Sequence, residues 1–129
     1  MNLLADASWL IRLERELRGR RPGPAMTLLG TTAQVFINPV SHCEFLCQGL
    51  TPLRETILKR MRKLPALDYR DSALAAHVRR ERAKRGKTIG TPDAFMAACA
   101  MNRRLRLLTG DKDFSGIPGL DWRDARAGL

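Results

Sequence analysis

Thr91-Pro92-Asp93-Ala94-Phe95-Met96-Ala97-Ala98-Cys99-Ala100-Met101, followed by Leu105-Arg106-Leu107-Leu108-Thr109-Gly110-Asp111-Lys112-Asp113-Phe114, decides the fold. The first part reads as a helix that is apolar nearly all round. The second reads as a short strand running into a loop that holds an Asp-x-Asp. A helix without a polar face has to be covered on every side, so this one is expected between a sheet and other elements. An acid opens the helix and two more lie just past the strand, next to the core yet open to a ligand.

Working outward, Asn2-Leu3-Leu4-Ala5 suits a buried strand that ends at Asp6. Trp9, Leu10, Leu13 and Leu17 then recur at helical spacing, with Arg12, Glu14, Arg15, Glu16 and Arg18 mostly on the other face. Gly19 to Pro24 breaks that helix, and Met26, Leu28 and Leu29 allow one more turn. Ala33 to Ile37 is a second strand, rich in β-branched and aromatic residues. Asn38-Pro39 starts a helix running to about Gly49, and Thr51-Pro52 starts another that Pro65 closes. Leu64 to Leu67 reads as a very short strand or an extended linker. From Asp71 to Arg85 a helix turns Leu74, Ala75 and Val78 inward and Arg79, Arg80, Arg82, Lys84 and Arg85 largely outward. Leu120-Asp121-Trp122 is the expected last strand, at the sheet edge, and the tail from Arg123 is expected to be loose.

Strands alternating with helices predict one α/β domain over residues 1–129: three layers, with a central, mostly parallel sheet flanked by helices. Ligands of such sheets bind beyond the carboxyl ends of the strands. Asp6 and Asp111 both stand at such ends, which puts them on one rim.

The charge is lopsided: 23 Lys+Arg against 13 Asp+Glu, a net +10. Such an excess points to a polyanionic partner, nucleic acid or an acidic protein. Aromatic residues are only 5% of the chain, which argues against a row of base-stacking platforms, so phosphate contacts are expected to carry the affinity. Asp6 interrupts the first apolar run, so no secretory leader is expected. No stretch has the length of a membrane span. Three cysteines make no disulfide framework, which predicts a reducing, cytoplasmic setting.

Each acid has an ordinary use. Asp6 serves as the cap of the first helix. With Thr91 as cap and Pro92 at the first helical position, Asp93 lies in a first turn where the helix dipole favours it. Glu44 depends on register. If Ser41 caps, Ser41-x-x-Glu44 is a capping box; if Asn38 caps, as Pro39 favours, Glu44 lies on the apolar side with Val40 and Cys47. Asp111 and Asp113 suit a turn. Together they are harder to dismiss, because two carboxylates at ~4 Å repel by about 4 kcal/mol at an effective dielectric of ~20. A cluster of Asp6, Glu44, Asp93 and Asp111 requires a cation, and hard oxygen donors select Mg²⁺ or Mn²⁺.

The series Leu3-Leu4-Ala5-Asp6-Ala7-Ser8, then Glu44, then Arg85 to Ala98, then Thr109-Gly110-Asp111-Lys112-Asp113-Phe114 resembles the PIN-domain nucleases, and among them the VapC-type toxins of toxin–antitoxin pairs. The resemblance covers nearly the whole chain in order and spacing, with Ala7 standing where Thr or Ser is usual. It implies a PIN-like fold and a Mg²⁺- or Mn²⁺-dependent endoribonuclease that leaves a 5′-phosphate and a 3′-hydroxyl. Asp6, Glu44, Asp93 and Asp111 fall on the family's metal-binding acids, Asp113 is auxiliary, and Ser8 and Thr109 match positions that orient those carboxylates. Arg79, Arg82, Lys84, Arg85, Lys87 and Lys112 are the expected phosphate contacts on RNA. A cognate small, VapB-like antitoxin and a homodimer are the implied assembly, with no membrane partner.

Three other readings compete. His42, Cys43 and Cys47 suggest zinc but lack a spaced fourth ligand; buried free thiols are the commoner outcome. A non-catalytic module binding RNA or an acidic protein would use the charge alone. A phosphotransfer receiver or phosphatase needs a nucleophilic Asp with a Lys near the last strand, and none stands there.

Overall fold

The computed structural model describes residues 1–125. Five strands form one all-parallel sheet in the order β3-β2-β1-β4-β5, with β1 at Asn2–Ala5, β2 at Gln34–Ile37, β3 at Arg62–Lys63, β4 at Arg106–Thr109 and β5 at Trp122–Asp124. The chain runs outward from β1 to β2 and β3, then returns to β1's other side with β4 and β5. That reversal creates a crevice between β1 and β4, where Leu3 pairs with Arg106 and Ala5 with Leu108.

Side chains of a strand point alternately to the two faces, and both faces here are covered. Leu3, Ala5, Val35, Ile37 and Leu108 pack against α1 (Ala7–Gly19), α2 (Pro24–Leu29), α3 (Pro39–Leu46) and α4 (Pro52–Arg60). Leu4 and Leu107 pack on the other face against α5 (Tyr69–Lys84) and α6 (Thr91–Asn102). The result is the three-layer arrangement that the alternation of strands and helices predicts. Helix α6 is covered as its composition demands: Ala94 and Met96 to Ala100 are all fully buried. Its small residues let α5 approach closely, with Ala75 against Ala94 and Ala98. Among the described residues no helix is long and apolar enough to cross a membrane.

Helix starts follow local chemistry. The Asn38 side chain accepts from the Ser41 amide while the Ser41 hydroxyl accepts from the Asn38 amide, so Asn38 rather than Ser41 caps α3. Asp68 and Asp71 cap α5 in the same reciprocal way, which moves its start ahead of Asp71. Thr51 caps α4. The cap of α6 is Gly90, not Thr91; the Thr91 hydroxyl is occupied by Arg79.

Several sequence expectations shift. Helix α3 stops at Leu46 and α4 at Arg60, short of Gly49 and Pro65. The short strand is Arg62–Lys63, ahead of Leu64 to Leu67, because two residues directly after α4 suffice to pair with Phe36 and Ile37. The last strand starts at Trp122 and takes in Arg123 and Asp124, since its partners are Leu107 to Thr109. The rest of the expected loose tail, residues 126–129, lies outside the described residues.

Glu14 and Glu16 do not face water. Glu14 is bound by Arg54, whose Nε donates to Oε2 at 2.6 Å and whose second nitrogen donates to Oε1 at 3.3 Å. Both side chains are buried (6% and 7% exposed), and the guanidinium also donates to Gly49 O at 2.7 Å. The pair ties α1 to α4 and holds the Glu14 carboxyl below its usual range. Glu16 accepts from the amides of Ala25 and Met26, closing the open end of α2 from a neighbouring helix. Gly23 leaves room for it, as a Cβ there would meet the Glu16 carboxylate.

Candidate functional site

The site is built on the crevice between β1 and β4. Asp6 follows directly from β1, so the strand's register delivers its carboxylate to the sheet's carboxyl rim. There it caps α1, accepting from the Ala7 amide at 2.9 Å through Oδ1. Its Oδ2 accepts from the Thr109 hydroxyl at 2.8 Å and the Ser8 hydroxyl at 3.1 Å. Capping and site geometry are therefore compatible uses of one side chain.

The two hydroxyls also face the next loop. Ser8 Oγ accepts from the Gly110 amide at 2.8 Å, and Thr109 Oγ1 accepts from the Asp111 amide at 3.1 Å. The chain leaving β4 is thereby held against Asp6. Asp111 caps the 3-10 turn Lys112–Gly116, with its Oδ1 accepting from the Asp113 amide at 2.9 Å.

Asp93 enters from the first turn of α6 and Glu44 from the body of α3. Their placement is read in their protonation. Burial, followed by the charges of Asp6, Asp111 and Asp113, pushes the Asp93 carboxyl up to about 6. Burial, then Asp6 and Asp93, raises Glu44 as well. Asp6 is raised chiefly by burial, against the lowering effect of its hydrogen bonds. Asp93 is thus near enough to Asp6, Asp111 and Asp113, and Glu44 to Asp6 and Asp93, for their negative charges to be felt.

Glu44 is exposed at the rim, which corrects the apolar placement. The apolar side of α3 is Phe45, with Ser41 buried beside it. Cys43 and Cys47 are exposed too, so two of the three thiols expected inside are not; only Cys99 is buried.

The charge balance singles out these residues. Glu14, Glu16, Glu55, Asp68, Asp71, Glu81 and Asp121 each form an ion pair with a basic side chain. Among the described residues no ion pair joins Asp6, Glu44, Asp93, Asp111 or Asp113 to one. Converging carboxylates left uncompensated in a chain of net charge +10 fit a hard divalent cation in charge and in donor type. The spacing is looser than the sequence suggests: among the described residues no three His, Cys, Asp or Glu side chains stand ready around one ion. Binding requires the carboxylates to close up.

The basic residues divide. Arg79 donates to Ile89 O at 3.0 Å and to Thr91 Oγ1 at 3.1 Å, which braces the segment leading into α6. Lys84 pairs with Glu81 at 3.0 Å. Arg82 is not outward: it is 6% exposed and donates to the Asp113 carbonyl at 2.9 Å. Its spacing from Ala75 and Val78 on α5 was the available signal, since it continues their buried face, and the Lys112–Gly116 turn folds over it there. Arg85, Lys87 and Lys112 are exposed.

A family model described as PIN domain matches residues 4–120. No curated protein gave a sequence match. Among solved structures the chain is similar to VapBC-1 from nontypeable Haemophilus influenzae, at 18% identity and TM-score 0.76 over 97% of this chain and 98% of that one. It is similar to DNA-bound VapBC from Salmonella typhimurium, at 22% and 0.74 over 97% and 98%. A third is VapBC-5 from Mycobacterium tuberculosis, a member of the VapBC family of toxin-antitoxin systems, at 19% and 0.63 over 95% and 98%. At these identities the likeness is one of fold.

Proposed function

This chain belongs to the PIN domain family, and from that premise we propose that it is a VapC-type toxin: a Mg²⁺- or Mn²⁺-dependent endoribonuclease hydrolysing RNA phosphodiester bonds. The observation that carries the reading is the convergence of Asp6, Glu44, Asp93 and Asp111, with Asp113 beside them, uncompensated by any protein cation among the described residues. A divalent ion held there would lower the pKa of a water, so that hydroxide is available to attack phosphorus, and would offset charge on the leaving oxygen.

The chain's own residues do the remaining work. Ser8, Thr109 and the Ala7 amide hold Asp6 in one orientation, as partners of ligating carboxylates do. Asp93, Asp111 and Glu44 offer oxygens from three further segments. Exposed cations among Arg85, Lys87 and Lys112 bind flanking phosphates, so binding weakens with salt; Arg79 and Lys84 join them only by giving up their present bonds. In this reading the protein works in the cytoplasm as one domain and as a homodimer, and its partner is a small VapB-like antitoxin; the partner is the part supported by the VapBC toxin-antitoxin systems of similar fold.

The net charge of +10 favours one other reading, a non-catalytic module that binds RNA or an acidic partner on the same scaffold. Incubation of RNA with the protein in Mg²⁺ or Mn²⁺, with and without EDTA, separates the two. Cleavage that EDTA abolishes is expected; binding indifferent to metal, with no cleavage in either ion, would establish the module instead.

A further inference from the structure

Arg82 holds a buried charge in an unusual setting. It is 6% exposed, its Nε has no hydrogen-bond partner, and among the described residues the guanidinium's one hydrogen bond goes to a neutral carbonyl, that of Asp113. Among the described residues no carboxylate lies within ion-pair distance of it. A guanidinium removed from water without a counter-charge is costly. The other buried arginine, Arg54, has Glu14. Arg82 has nothing of the kind.

The surroundings say what would supply the missing charge. Arg82 forms part of the wall of an open recess of about 460 Å³, together with Lys87, Thr88, Lys112, Asp113 and Ser115. Lys87 and Lys112 form no ion pair among the described residues. Two ammonium groups, two hydroxyls and a buried guanidinium form a donor set suited to a tetrahedral oxyanion. Asp113 is the one acidic residue in the wall, and its amide donates to Asp111 Oδ1 at 2.9 Å within the turn that Asp111 caps, which ties the recess to the acid cluster. Gly116 at its edge leaves room for the Arg82 guanidinium, which a Cβ there would push aside.

We propose that this recess is a phosphate subsite for the RNA strand, with Lys87 and Lys112 grasping one phosphodiester beside the scissile bond, Thr88 and Ser115 donating to it, and Arg82 serving as the fixed positive wall. The inference rests on the endoribonuclease reading and deepens it by selecting among the exposed cations. Arg79 and Lys84 do not line the recess and hold the Ile89 segment and Glu81 instead. Arg82 acts through its buried charge rather than as a solvent-facing hook. A free phosphate offers the same oxygens, so the test has to tell the two sources apart.

The test is binding of a fluorescein-labelled RNA oligonucleotide by anisotropy in Ca²⁺, across a salt series. Three forms are compared: the parent, Lys87→Ala/Lys112→Ala, and the control Lys59→Ala/Arg60→Ala, which removes the same charge on the opposite face of the sheet. The subsite variant is expected to bind at least about tenfold more weakly than the control. Its salt dependence should be shallower by roughly 0.7 in the log–log slope, the share of one single-strand phosphate. Equal affinities in the two variants would overturn the proposal. Saturable shifts of the Lys87 and Lys112 amides by inorganic phosphate, with RNA affinity unchanged in the subsite variant, would overturn it too and leave an anion site unrelated to RNA. Failure of the nuclease reading would look different: the binding loss would persist while the parent protein cut no RNA in Mg²⁺ or Mn²⁺.

Discussion

The hydroxyl of Thr109 donates to Asp6 Oδ2 at 2.8 Å, joining the end of β4 to the end of β1 through two side chains that are both buried. Thr109 Oγ1 in turn accepts from the Asp111 amide, so one hydroxyl orients one site acid and the backbone of another. Thr109→Val keeps the shape and removes both bonds. It is expected to lower metal affinity or cleavage by roughly 10–100-fold and stability by about 1–3 kcal/mol. Thr109→Ser should restore most of each, as read by cleavage rate and urea denaturation.

Asp93→Asn removes a charge that Asp6, Asp111 and Asp113 oppose. Cleavage in Mg²⁺ should fall by more than the roughly 10–100-fold expected for loss of an outer partner. The metal-free variant should meanwhile melt at a higher temperature than the parent at pH 7. A variant that cuts RNA at the parental rate would remove Asp93 from the site.

The pH dependence follows from the sign of the same shift. A carboxyl whose pKa rises on folding stabilises the fold below its ordinary value of 3.8 and loses that contribution as pH climbs through about 6. Asp6 and Glu44 shift in the same direction. Asp71 and Glu14 are lowered instead, so their contribution fades only below the usual carboxylate range. Thermal melts in EDTA are therefore expected to show greater stability at pH 5 than at pH 7. Added Mg²⁺ or Mn²⁺ should raise the melting temperature more at pH 7, where the acids are ionised.

Arg54→Met takes from the buried Glu14 carboxylate its close partner, leaving only the exposed Arg18 at 3.9 Å, and should cost about 3–5 kcal/mol. Adding Glu14→Leu removes the orphaned charge, so the double variant should recover much of that loss in chemical denaturation. A double variant no more stable than the single one would show that the Gly49 and Phe45 contacts of Arg54, not its pairing, carry the effect.

Local chemistry made much of this legible. The apolar run ahead of Asp6 and the all-round apolar α6 gave a sheet enclosed by helices. Asn38-Pro39 chose between two registers for Glu44. What escaped depended on partners far along the chain. Glu14 and Glu16 look like solvent-facing acids until Arg54 and the amides of α2 are placed beside them. Arg82 looks like another exposed arginine of a basic helix by its charge, but it continues the buried face of Ala75 and Val78 and has the Lys112–Gly116 turn folded over it. Thr91 lost the cap of α6 because Arg79 holds its hydroxyl. The last strand was misplaced by two residues because its register is dictated by Leu107 to Thr109, not by its own composition.

Because Leu3 lies beside Arg106 and Ala5 beside Leu108, the crevice between the two central strands draws on the chain's first residues and some of its last. Contacts of such sequence separation form late and slowly. Asp6 therefore leaves the ribosome well before Asp111, and the acids come together only once the long stretch between them has been made. A chain that cuts RNA, as proposed above, would in this way stay inactive while that stretch is being synthesised.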